Sequence, residues 1–200
     1  QGRFAGARFA HVEALAARGL IEWTVIDPGS VNFLRFDEIA TPDAGFVYRN
    51  APGEVAQGLA LAARAGLHPG FAIYEPGFTR AGAALASAAR CPRPIYRFMF
   101  SDEFAWGFPP TEPALDAHLD LLARAAPGAC WMVAGLGVDI GALIGPAVAR
   151  GGHVRVGLED APWGSPLSNR EWVERARRAV EAAGGAAATA AHVRAALTGK

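Results

Sequence analysis

Five short apolar runs recur along the chain, most of them joined by helical patterns, and this alternation constrains the fold more than any other feature. The runs are "EWTVID" (22–27), "FAIYE" (71–75), "IYRFMFS" (95–101), "CWMVAGL" (130–136) and "HVRVGLE" (153–159). Each is rich in β-branched and aromatic residues and is bounded by glycine, proline or an acid, as buried strands are. Around them, 3–19 puts Phe4, Ala7, Phe9, Val12, Leu15 and Ala16 on one helical face. Residues 52–66 open at a proline and stop at Gly66, and 113–128 carry Leu115, Leu119 and Leu122. At 168–185 a helix opens on Ser168 with Glu171 three positions later, a capping box, and 188–199 form a short last helix. Strands alternating with helices imply βαβ units and a parallel sheet, hence an α/β fold. The sheet is either doubly wound or a TIM barrel, and both bind ligands at the C-terminal ends of their strands. A length of 200 residues, 52% of them hydrophobic, suits one domain over 1–200.

Polar residues gather where such a site belongs: Asp27 and Ser30, Glu75, Ser101 and Asp102, Gly135 to Asp139, Glu159 and Asp160. The last strand is the most informative. Side chains alternate along a strand, so His153, Arg155, Gly157 and Glu159 share one face while Val154, Val156 and Leu158 share the other. The apolar set suits packing against helices, and the charged set points into a barrel lumen with Asp160 just past the rim. Taken alone, this pattern fits two readings. One is a structural Arg155–Glu159 pair with Asp160 turning the chain; the other is a catalytic face.

At "GGHVRVGLED" (151–160) the chain resembles the β-keto acid cleavage enzymes, which include the 3-keto-5-aminohexanoate cleavage enzyme. "DPGSVNF" (27–33) resembles that family's strand-four loop, "CWMVAGLG" (130–137) its strand-seven segment, and "AATAAHVRAALTG" its closing helix. The resemblance covers nearly the whole chain. It implies a TIM (β/α)8 barrel with a divalent metal, usually zinc. The implied reaction condenses a β-keto acid with acetyl-CoA, giving acetoacetate and a new CoA thioester. Glu159 matches the family's carboxylate metal ligand, Arg155 and Asp160 its proton-abstracting pair, and Ser30 and Asn32 its substrate contacts. The chemistry is sensible: a metal polarises the keto acid, and a carboxylate beside an arginine stays ionised and acts as a base. The resemblance also implies a homo-oligomer, and the two cysteines, read below as free thiols, suit the reducing cytoplasm.

The pattern is incomplete in two places. The five histidines, at 11, 68, 118, 153 and 192, form no His-x-His pair, and His153 lies six residues before Glu159. At ~3.3 Å per residue that is about 20 Å, too far to share a metal. A TIM barrel has eight strands and five are read here, so 22–159 would supply strands four to eight, and the chain reads as an N-terminally incomplete barrel. In "HPGFAIYEPGF" (68–78) the acids common in the family fall at Gly70 and Ala72; either Glu75 takes over a polar role toward substrate at the mouth, or the substrate's amino-group contact is lost, which argues against an aminated keto acid. Dense aromatics nearby, Tyr74, Phe78, Phe98, Phe100, Phe104, Trp106 and Phe108, serve core packing or a more apolar substrate pocket.

Other functions are constrained by what the chain lacks. Nineteen basic and nineteen acidic residues give zero net charge and no basic face for nucleic acid. No apolar stretch reaches the ~20 residues of a membrane span, and the opening residues lack a signal-peptide pattern. Cys91 and Cys130 show no CxxC spacing and read as free thiols. The lone lysine, Lys200, lies on no strand, which excludes a Schiff-base aldolase. "GLGVDIG" (135–141) has GxGxxxG spacing rather than the dinucleotide fingerprint. In a barrel, its Gly135 and Gly137 amides suit contact with CoA. Two further readings stand beside the enzyme: a non-catalytic barrel remnant that binds a ligand or partner, and another metal-dependent barrel lyase or aldolase.

Overall fold

In the computed structural model, which describes residues 8–198, all five expected strands form and pair in parallel. In chain order the elements begin with α1 (Ala10–Ala17), β1 (Trp23–Val25), β2 (Val31–Phe33), a 3-10 turn (Phe36–Glu38), β3 (Phe46–Tyr48) and α2 (Pro52–Ala65). They continue with β4 (His68–Ile73), α3 (Gly77–Ala88), β5 (Ile95–Phe100), α4 (Glu112–Ala125) and β6 (Cys130–Gly135). Last come α5 (Gly141–Ala149), β7 (His153–Val154), α6 (Asn169–Ala182) and α7 (Ala190–Thr198). The main sheet runs β1-β4-β5-β6-β7, and β2 and β3 form a separate antiparallel hairpin. Consecutive parallel strands lie side by side with no reversal of order. A doubly wound sheet reverses at a switch point, so this sheet is singly wound.

The two faces of the sheet do different things. Phe71 and Ile73 of β4, Tyr96, Phe98 and Phe100 of β5, and Val133 of β6 are buried in one core with Leu59, Leu115 and Leu143 of the crossover helices. This is the near-continuous apolar pattern of a parallel strand buried on both faces. On the opposite face, Ala72, Met99 and Ala134 meet Val31 and Phe33 of the hairpin and Trp106 of the loop after β5. That second cluster sits toward the strand C-termini, so the hairpin covers the polar end of the sheet.

Several expectations need correction. β7 is two residues long rather than spanning 153–159: Arg155 N–H still donates to Val133 O at 2.9 Å, but the chain then turns, with the Asp160 and Ala161 N–H groups both donating to Gly157 O. Val154 and Val156 do pack against the helix-side core, whereas Leu158 is exposed. The first helix starts at Ala10, and the expected face residues Phe4 and Ala7 lie outside the described residues. The α3 and α5 crossovers and the β2–β3 hairpin complete the architecture. Ser168 forms the expected capping box, accepting from Glu171 N–H at 3.3 Å while Glu171 Oε2 accepts from Ser168 N–H at 2.7 Å. Ser168→Ala is expected to destabilise the protein by about 1 kcal/mol, read from the urea midpoint at unchanged m.

Candidate active site

Five elements converge on one cavity of about 340 Å³ at the C-terminal end of the sheet. Its polar walls are Asp27 after β1, Tyr48 of β3, Tyr74 after β4, Arg97 of β5, and Arg155, Glu159 and Asp160 after β7. Strand register explains the convergence. Ala72 pairs with Arg97, Arg97 with Met132, and Met132 with His153, so one row of inward side chains crosses the sheet. Two positions farther along, Arg155 points the same way.

Asp27 organises one wall. Its Oδ1 accepts the Ala72 N–H at 2.8 Å and its Oδ2 accepts the Tyr48 hydroxyl at 2.8 Å, tying the hairpin to β4. Burial raises the Asp27 carboxyl above its ordinary range, opposed by the Ala72 and Tyr48 hydrogen bonds and by Arg97. Burial, reinforced by the charge of Asp27, pushes the Tyr48 hydroxyl up to about 12, so it remains a donor. Tyr74 is raised for the same reasons.

The opposite wall is the pair expected from sequence. Arg155 Nη2 lies 2.5 Å from Glu159 Oε2 and 3.1 Å from Asp160 Oδ1. The second contact is an ion pair whose alignment falls short of a hydrogen bond, and among the described residues Asp160 Oδ1 is buried without another partner. Asp160 is 4% exposed, and burial pushes its carboxyl up to about 6, outweighing the attraction of Arg155. The arginine acts in the expected direction, but it does not hold the acid in the ordinary range. Carboxylates near such values serve as bases close to neutral pH.

The remaining expected site residues lie elsewhere. The Ser30 hydroxyl accepts the Asn50 N–H at 2.8 Å and is exposed, and Asn32 is exposed on β2 opposite Val47. Glu75 is half-buried between β4 and α3, where its carbonyl accepts Phe78 N–H; Tyr74, not Glu75, faces the cavity. Close packing accounts for both loop glycines. A Cβ on Gly135 would meet Val138 O at 2.7 Å, and Gly137, at φ +69°, would drive one into the Glu103 carboxylate. Glu159, by contrast, does line the cavity, at its rim, with its side chain 79% exposed. No group of three or more His, Cys, Asp and Glu side chains capable of holding a metal occurs among the described residues. Glu159, engaged by Arg155, offers at most one ligand, so the described residues do not fit a metal centre.

Arg97 and Tyr48 are wall residues not singled out from sequence. Arg97 had a visible signal, a lone charge inside "IYRFMF". Tyr48 had none, because it arrives on a hairpin strand of three residues.

A family model described as beta-keto acid cleavage enzyme matches residues 2–198. Among solved structures, the chain resembles the "Binary complex of ObcA with oxaloacetate", with a TM-score of 0.69 and 17% identity over 88% of this chain and 45% of that chain. It also resembles the "Apo structure of ObcA", with a TM-score of 0.63 and 16% identity over 88% of this chain and 44% of that one. At these identities the likeness is one of fold, and the chain spans less than half the length of the solved structures it matches. No curated protein matches it.

Proposed function

The chain belongs to the β-keto acid cleavage enzyme family, and from that premise we propose that its cavity takes a β-keto acid and cleaves it with acetyl-CoA as co-substrate. The singly wound sheet supports reading it as an arc of a (β/α)8 barrel, with the cavity at the catalytic mouth. The observation that carries the proposal is the Arg155–Asp160 pair, with a buried carboxyl near pH 6 on the cavity wall. The oxaloacetate named in the ObcA complex is itself a β-keto acid, which supports the substrate class.

Asp160 takes a proton from the carbon between carboxylate and ketone, and Arg155 holds Asp160 in place while balancing its charge. The resulting carbanion attacks the acetyl carbonyl and expels CoA thiolate. The thiolate attacks the ketone carbon, the bond between that carbon and its deprotonated neighbour breaks, and the departing fragment takes a proton to become acetoacetate. Every atom of the two substrates is conserved, and the new thioester carries the remainder of the keto acid. Zinc remains part of the reading as a family expectation in which Glu159 gives one oxygen; no step above passes through it. Gly135 and Gly137 likewise remain the proposed backbone contacts for CoA, and Ser30, Asn32 and Glu75 the proposed substrate contacts from neighbouring loops. Incubating the protein with acetyl-CoA and a panel of β-keto acids is expected to yield acetoacetate and a new acyl-CoA in equal amounts by mass spectrometry. No acetoacetate from any of them would overturn the proposal.

A further inference from the structure

The wall opposite the Arg155–Asp160 pair holds a cation that the reaction above leaves unused. Arg97 lies in the middle of β5, between Tyr96 and Phe98, both fully buried on the helix side. Its own side chain turns to the other face and is 14% exposed. Burying a guanidinium is costly unless its donors are satisfied, and its buried Nε has no hydrogen-bond partner among the described residues. The one carboxylate within 4 Å among the described residues, on Asp27, stands 3.9 Å away. That carboxylate is already committed to the Tyr48 hydroxyl and the Ala72 N–H. Among the described residues Arg97 therefore has partial charge compensation and no directional partner.

Its position gives that vacancy a use. Arg97 and Arg155 both line the polar cavity from strands two apart in the sheet, a backbone spacing of roughly 10 Å. Arg155 is occupied by Glu159 and Asp160, whereas Arg97 is free to form the planar, bidentate contact that guanidinium makes with carboxylate. Resting on the reading that this cavity takes a β-keto acid, we infer that Arg97 is a specificity-determining residue that binds a second carboxylate at the far end of the substrate. The substrate class is then a β-keto dicarboxylate rather than a β-keto monocarboxylate. An apolar substrate tail in the same place would leave a buried guanidinium unpaired, which selects against it as strongly as the contact selects for the diacid.

The test compares 3-oxopentanoate with 3-oxoglutarate, five-carbon β-keto acids that differ only in the terminal carboxylate. Calorimetric titration of the full chain is expected to show 3-oxoglutarate binding at least about tenfold tighter. In Arg97→Met that advantage should shrink to within about twofold, with 3-oxopentanoate affinity little changed, and Arg97→Lys should keep an intermediate preference. Because lysine preserves the charge and most of the volume, it separates loss of recognition from loss of folding. Equal affinities in the wild type, binding of neither compound, or a preference that survives Arg97→Met would each overturn the inference. Acetoacetate release, read in parallel, distinguishes it from the reaction itself. A diacid preference without acetoacetate removes the cleavage chemistry and leaves Arg97 in its role. Acetoacetate formed equally well from both compounds removes the role of Arg97 and leaves the chemistry.

Discussion

Asp160→Asn is expected to lower turnover with acetyl-CoA and a β-keto acid by about 10²–10⁴-fold, the usual contribution of a positioned general base. Asparagine keeps the shape of the side chain but cannot accept the proton. Since burial already disfavours the carboxylate, the substitution should leave the melting temperature unchanged or slightly higher. The pH profile gives a second readout. With the folded-state carboxyl at about 6 in the unliganded protein, Asp160 is ionised above that value, so wild-type kcat/KM should fall as pH drops through about 6. The residual activity of the asparagine variant should lack that limb. An Asp160→Asn protein with wild-type turnover, or with the same acid limb, would remove Asp160 from the chemistry and leave it as the residue that ends the turn begun at Gly157.

The architecture was legible in sequence where local pattern and tertiary environment agree. The central strands β4, β5 and β6 were readable because parallel strands buried on both faces are continuous apolar runs, as in "IYRFMF" and "CWMVAG", while the partly exposed edge strands β1 and β7 were readable from their β-branched and aromatic residues. The α5 helix was not, because "GALIGPAVA" is apolar all round and contains Pro146, so it offers no amphipathic stripe. The hairpin was hidden for a different reason. Its strands have three residues each and are joined by a long connection without a tight-turn signal. They are held by Phe33 stacking on Phe46 and by stitching of 34–36 to 103–105 through the Phe36 N–H to Glu103 O and Ala105 N–H to Leu34 O bonds.

The site divides in the same way. Arg155 and Asp160 are close in sequence, so strand alternation alone could place them together. Asp27, Tyr48, Tyr74 and Arg97 come from four separate elements, and only pairing of the sheet and hairpin makes them neighbours. Alternation assumed a strand running to 159, whereas the chain turns at Gly157, with Leu158 N–H donating to Asn169 Oδ1 at 3.1 Å; Glu159 still reaches the cavity, at a solvent-exposed rim where it pairs with Arg155.

The largest effect on stability is expected from a residue remote from the cavity. His118, on α4, is 0% exposed and lies among three aromatic rings: Phe98 stacked at 4.5 Å, Phe108 at 5.2 Å and Phe100 at 5.5 Å. Neither ring nitrogen has a hydrogen-bond partner among the described residues, and burial pushes the imidazole down to about 4 from an ordinary 6.5. Between those values the unfolded chain binds a proton that the folded protein refuses. Stability is therefore full above about pH 6.5 and declines as pH falls toward 4, by about 3 kcal/mol from this one group. Asp160 works in the opposite sense. Its folded carboxyl is raised, so the folded protein takes up a proton first and gains stability as pH falls through 6 toward 3.8. The wild-type profile thus mixes the two, and a difference measurement isolates the histidine. His118→Met fills similar volume with no polar atom, and should raise stability by about 1–3 kcal/mol at pH 7.5 by removing two unsatisfied groups. Its advantage over wild type should then grow by about 3 kcal/mol between pH 7 and pH 4, read from urea unfolding at each pH. An advantage that is constant across that range would show that the buried ring finds a proton partner on folding and stays charged.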